Sequence, residues 1–244
     1  MNDKMNINRA CRYYLIKDKD FILNLLLFTL ISLGFIFLLY KGIFDSRGND
    51  YIVLMLYVLM VGTSLIISNS MLVNLTVKDR VNKRIEFILG QGISIKDVIK
   101  AYGLEMWRLS SIVPFLLFFL SYVLIDLQIE FKWIVGMFVT MIGMTYFEIL
   151  FLNLKSLSQK NFKFFKNIVF FGTTILIYMI GTFSDEILSL IEKYNLNLIY
   201  IILGINVGLA LIFAIFSMKD LSKLNNETVL NKEGSWSWNL SFAI

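Results

Sequence analysis

The chain has 244 residues, 57% of them apolar and one of them proline, with a mean hydropathy of +0.71 and a formal net charge of +5. Those values exclude an ordinary soluble domain and make the bilayer the natural solvent, while the lack of histidine and the single cysteine, Cys11, exclude disulfide scaffolds, thiolate zinc sites and histidine-based triads. The basic residues fall in short clusters between apolar runs rather than in one stripe beside exposed aromatics, so contact with lipid headgroups explains them and nucleic acid does not.

The first pattern is helical. Ile7, Ala10, Cys11, Tyr14 and Leu15 recur at i, i+3, i+4, i+7 and i+8, with Asn8, Arg9 and Arg12 elsewhere around the helix. This predicts an amphipathic helix on the inner leaflet; a basic tail that only fixes topology is the plainer alternative. Cys11 reads as a small apolar residue on that helix, with reversible acylation as the other reading.

Apolar runs long enough for a hydrocarbon core of about 30 Å follow at 21–40, 51–77, 109–125, 133–154, 167–183 and 198–218. The first is preceded by Lys4, Arg9, Arg12, Lys17 and Lys19 as a secretory leader would be. It is too long for such a leader and lacks a small-residue cleavage site, so it is expected to remain as an anchor. The second carries Thr63, Ser70 and Asn74 at i, i+7 and i+11, with Ser64 and Ser68 beside them. A polar face in hydrocarbon either lines a wet route or packs closely against another helix.

The segment from Lys78 to Lys100 joins the second and third runs. A helix is expected to end at Gly90, where glycine takes the left-handed C-terminal conformation, and Ser94 with Asp97 has the S-x-x-D spacing of a new helix start. Phe87, Ile88, Leu89 and Ile93 then stand near the bend, rimmed by Arg84, Glu86, Lys96 and Asp97. Apolar knobs within a charged rim are the chemistry of a docking element for a partner.

In the fourth run Glu148 lies about two helical turns before Lys155, at a depth suited to a structural ion pair with Arg108. The fifth has Thr174, Tyr178 and Thr182 at i+4 spacing. Segment 184–195 sets Ile187, Leu188, Leu190, Ile191 and Tyr194 at helical spacing, which predicts a helix at or dipping into the outer leaflet, or an ordinary amphipathic loop. The tail alternates large and small residues through Trp236, Trp238, Leu240, Phe242 and Ile244, as an added strand or as membrane-dipping tryptophans.

Nineteen of the 23 Lys and Arg fall on one side of this six-span arrangement, and only Lys41, Arg47, Lys132 and Lys193 on the other, which predicts both termini in the cytoplasm and a plasma-membrane location. Trp133 and Tyr51 at run boundaries fit an interfacial aromatic belt. The expected fold is therefore all-α and integral to the membrane: an interfacial helix at 1–20, a six-span bundle at 21–218 and a cytoplasmic tail at 219–244, forming one domain.

Arg84-Ile-Glu86-Phe87-Ile88-Leu89, the glycine turn, and Ile93-Ser94 resemble the run between the second and third spans of the six-helix permease subunits of ABC-2 type ATP-driven exporters. Many members have proline where this chain has Gly90-Gln-Gly92. The similarity extends to the N-terminal helix, the six spans and the short segment between the last two. It implies a coupling helix, with Arg84, Glu86, Phe87, Ile88, Leu89, Ile93 and Ser94 docking an ABC-type ATPase. It implies a second permease, identical or not, across a two-fold axis. It also implies a route lined by Thr63, Ser64, Ser68 and Ser70 of the second span and Thr174, Tyr178 and Thr182 of the fifth, and a re-entrant helix closing the outer mouth.

No G-x-x-x-x-G-K-[ST] run occurs, so this chain is expected to be no enzyme and to carry no cofactor, with ATP and magnesium on the separate ATPase. An importer permease would need a docking loop like Ala101-Tyr102-Gly103 further from a proline than Pro114 and later in the chain. A non-transporting immunity or sensor protein, or a polysaccharide exporter, is the alternative. An amphipathic or lipophilic cargo, such as a peptide toxin, bacteriocin or antibiotic, suits a hydroxyl-lined route better than a charged polymer.

Overall fold

The computed structural model describes residues 2–72, 75–76, 84–125, 127–157 and 162–230; the side chains of 2–6, 162–170, 176, 228 and 230 fall outside it. Asn74, Lys78 and the tail from 231 onward, with its tryptophans, lie outside the described residues.

The described residues form helices and turns, with no strand among them: α1 (Asn2–Ile16), α2 (Lys19–Tyr40), α3 (Asn49–Leu72), α4 (Arg84–Gly90), α5 (Ile95–Ser110), α6 (Ile112–Leu124), α7 (Phe131–Ser156), α8 (Phe162–Thr182), α9 (Ser184–Lys193), α10 (Leu198–Lys223) and α11 (Asn226–Leu230). Five segments are long and apolar enough to cross a membrane: α2, α3, α5 with α6, α7 and α10. The bent pair formed by Phe171–Thr182 and α9, at 61°, makes a sixth if it is one span. These are the helices of a membrane protein.

Local chemistry sets the breaks. Asp18 ends the link from α1, and its carboxylate accepts from the Asp20 amide at 3.0 Å, so α2 starts with one free amide satisfied. Asn197 does the same for α10, accepting from the Ile199 amide at 2.9 Å. The apolar run at 109–125 is the second half of a longer helical segment that begins at Ile95. Pro114 has no amide to give the Ser110 carbonyl, and the helix breaks at Ser111. The Ser111 amide still reaches the Trp107 carbonyl and the Phe115 amide the Ser111 carbonyl, both at 3.0 Å, so α5 continues into α6 with little change of phase.

Helix α3 is the central post, with 61% of its most apolar window buried, and it packs on α2, α5, α6, α7 and α8. A Cβ at Gly62 would lie 2.6 Å from the Ile177 side-chain tip, so this glycine lets α8 approach α3 closely. Helices α7 and α10 run parallel at a steady register, marked by Trp133 on Tyr200, Thr140 bonded to Asn206, Phe151 on Phe216, and Lys155 paired with Asp220 at 2.8 Å. The main core joins Leu15, Ile36, Met60, Ile67, Met71, Met106, Leu117, Met141 and Ile149. A second apolar cluster closes the bundle at the α4 end, and a third, around Val53, Met137 and Ile202, closes the other.

The N-terminal helix departs from expectation. Cys11 and Leu15 are buried in the main core, Tyr14 packs against it, and Ala10 is exposed. Its apolar face is spent on the protein, chiefly α5, rather than on the leaflet, because α5 extends far enough beyond the bundle to offer a mate. On α9, Ile187, Leu188 and Ile191 pack on the third cluster, while Leu190 and Tyr194 are exposed.

Candidate docking element and buried polar groups

Helix α4 has two faces. Ile85 and Leu89, one turn apart, are buried against Ile95, Ile99, Leu150, Leu154, Leu157 and Leu224. Phe87, on the opposite face, is 71% exposed, flanked by the exposed Arg84 and Glu86. Ile88 and Ile93 are half-buried and lean on the main core. Of the expected docking knobs, then, Phe87 stands out from the surface and Leu89 does not, since Leu89 shares the inward face with Ile85.

The turn also differs from its sequence reading. Gly90 is the last helical residue, and the left-handed conformation falls on Gly92, with φ +80°. The Gly92 amide closes the turn on the Leu89 carbonyl at 3.0 Å. Ser94 occupies the N-cap of α5 in extended conformation, but its hydroxyl makes no capping bond. Asn226 of α11 takes that role: its Oδ1 accepts from the Ile95 amide at 2.8 Å and its Nδ2 donates to the Ile93 carbonyl at 3.0 Å. Lys96 Nζ reaches the Ser222 carbonyl at 3.4 Å. The bend is therefore braced by the first residue of α11 and by the end of α10. On its other flank, Arg84 donates to the Tyr14 hydroxyl at 2.6 Å and lies over that ring.

Arg108 pairs with a different acid from the one expected. It donates to Glu105 at 3.1 Å, and Arg12 of α1 donates to the same carboxylate through Nε at 2.7 Å and Nη2 at 3.1 Å. Glu105 is fully buried, and the Arg12 hydrogen bonds and charge contact raise the guanidinium pKa above its ordinary value. The i, i+3 spacing brings Arg108 to Glu105 within one helix, and no hydrogen bond joins it to Glu148 among the described residues. Glu148 is itself buried, and its Oε2 has no hydrogen-bond partner among the described residues. At the opposite end, Arg47 donates to Asp185 at 2.7 Å, tying the α2–α3 link to α9 and raising the Arg47 pKa.

The two polar stripes do not meet. On α3, Thr63, Ser64 and Ser68 are buried; Thr63 bonds back to the Leu59 carbonyl at 2.8 Å and Ser68 to the Leu65 carbonyl at 3.0 Å. Ser70 accepts from Asn24 Nδ2 at 2.7 Å, and Asn69 donates to Thr173 at 3.2 Å. On α8, Thr174, Tyr178 and Thr182 are all exposed, on the outside of the bundle. Five further polar residues, none among the expected site residues, hold helices together: Tyr57 donates to Asn206, Asn206 to Thr140, and Thr76 to Asn153. Their one visible signal is amide side chains inside apolar runs, which in hydrocarbon must find partners.

No family model, curated protein or solved structure matches this chain.

Proposed function

We propose that this chain is the membrane subunit of an ATP-driven exporter of the ABC-2 kind, docking a separate ATPase through the bend between α3 and α5. The observation that carries this reading is Phe87, a large aromatic side chain exposed within an Arg84–Glu86 rim, on a helix held from behind by Ile85 and Leu89 and followed by a turn that Asn226 braces. A lipid-free loop has no use for such a knob on so rigid a base; a groove on a partner does. In this reading six spans place both termini and the bend in the cytoplasm, as the distribution of Lys and Arg supports. The exposed Thr174, Tyr178 and Thr182 face a second permease across a two-fold axis, and an amphipathic or lipophilic cargo passes there. The α3 hydroxyls support this packing from within rather than lining the route.

Seating Phe87 in a groove is worth about 1.5–3 kcal/mol, and an aspartate there replaces that gain with a desolvation cost. Phe87→Asp should therefore weaken co-purification with the ATPase by more than about tenfold, while the membrane domain still yields a monodisperse peak on size exclusion. A parent chain that recovers no ATP-hydrolysing subunit from native membranes, or a Phe87→Asp chain that recovers as much as the parent, overturns the docking assignment.

A further inference from the structure

Arg12 and Arg108 come from different helices, yet one buried carboxylate holds them side by side. Each side chain stays about half exposed, at 46% and 49%, although Glu105 is 0% exposed. Two cations share one anion, so the cluster keeps a net positive charge. Of the five N–H donors on each guanidinium, Arg12 spends two on Glu105 and Arg108 spends one. The remaining donors form a double fork open to the surroundings, suited to a phosphate oxygen pair.

Its depth and its surroundings specify the source of that phosphate. Arg12 lies less than two helical turns before Lys19, where the apolar α2 begins, and Arg108 lies one turn before Ile112, where the apolar α6 begins. Both guanidinium groups thus lie just before an apolar stretch, where the phosphates of a surrounding leaflet would be within reach. Helical hydrogen bonding runs on through Ser111, so Ile112, Phe115 and Phe119 continue the stripe of Arg108 into the hydrocarbon. All three are exposed, and Ile16 extends the same pattern one turn beyond Arg12. A charged fork above a continuous apolar stripe is complementary to one phospholipid, head and chain together.

We propose that Arg12, Arg108 and the stripe from Ile112 to Phe119 bind an anionic phospholipid, with its phosphate across the two guanidinium groups and an acyl chain along α6. Glu105 is the positioning residue that keeps both forks in place. This site does not depend on the exporter reading.

The test uses the purified full-length chain in neutral detergent, titrated with phosphatidylglycerol, phosphatidylcholine or glycerol 3-phosphate and read by native mass spectrometry. Phosphatidylglycerol should bind more tightly than phosphatidylcholine, by about tenfold or more. Arg108→Gln should lower that affinity about fivefold, and Arg12→Lys, which keeps the charge beside Glu105 but loses the fork, should also lower it. Phe115→Ser should weaken the lipid and leave glycerol 3-phosphate unaffected, and Arg47→Gln, at the other end of the bundle, should change nothing. Equal affinity for the two lipids overturns the proposal, as does binding unchanged in both Arg108→Gln and Arg12→Lys. Glycerol 3-phosphate competing as tightly as the lipid overturns it too, since the stripe would then have no role.

Discussion

Replacing Asn226 with alanine separates a cap made in trans from a cap made locally. Asn226→Ala removes the acceptor for the Ile95 amide and the donor for the Ile93 carbonyl, at 2.8 and 3.0 Å. A lost N-cap costs about 1 kcal/mol and a part-buried carbonyl left without its donor about another, so the start of α5 should lose about 2 kcal/mol of local stability. That corresponds to about thirtyfold faster amide exchange if opening and closing are fast. Hydrogen–deuterium exchange of the detergent-solubilised chain reads it directly in peptides covering residues 84–98. Asn226→Asp keeps the acceptor and loses the donor, so it should fall near half the effect. Ser94→Ala should change exchange by no more than the equivalent of about 0.5 kcal/mol, because its hydroxyl makes no cap bond. Unchanged exchange in Asn226→Ala, or a larger effect from Ser94→Ala, would refute the brace and restore the local capping box.

Two further outcomes test the same region and its neighbour. Gly92→Ala should cost about 1–2 kcal/mol because φ is +80°, whereas Gly90→Ala, in helical conformation with open space around it, should be neutral or stabilising by up to about 1 kcal/mol; thermal unfolding followed by circular dichroism reads both. Arg12→Ala and Arg108→Ala should each be tolerated singly, since the other arginine still partners Glu105, but the double variant strands a fully buried carboxylate and should cost about 3–5 kcal/mol. Strict additivity of the single effects in a thermal-shift assay would contradict the shared-carboxylate geometry.

What the sequence shows well is what depends on near neighbours. A span is a run of apolar side chains of fixed length, so the runs at 21–40, 133–154 and 198–218 fall within α2, α7 and α10. The inward phase of Ile85 and Leu89, and with it the outward phase of Phe87, is present in the i, i+4 spacing, which puts Phe87 and Leu89 on different faces although they are close in the chain. What it hides is chemistry between distant residues. Asn226 is 131 positions from the amide that it caps, and Arg12 is 93 from the acid that it binds. Each looks locally like an ordinary surface residue, and for the start of α5 a nearer candidate, Asp97, stands at a plausible spacing. Proximity in sequence ranks such candidates only weakly once helices pack.

The way the bend is braced decides where a push on Phe87 would go. Its helix rests through Ile85 and Leu89 on Leu150, Leu154 and Leu157 at the end of α7 and on Leu224 just past α10, while Asn226 fixes the start of α5 to α11. Helices α7 and α10 share one register from Trp133–Tyr200 down to Lys155–Asp220, so they move as a pair rather than slide. At the far end α9 packs on α3 and α8, joins Leu198 and Ile202 of α10 in the third apolar cluster, and is pinned to the α2–α3 link by Arg47 and Asp185. In the exporter reading a partner that displaces α4 therefore acts first on α7 and α10, and its push reaches the short bent helix by way of the third cluster and the central α3.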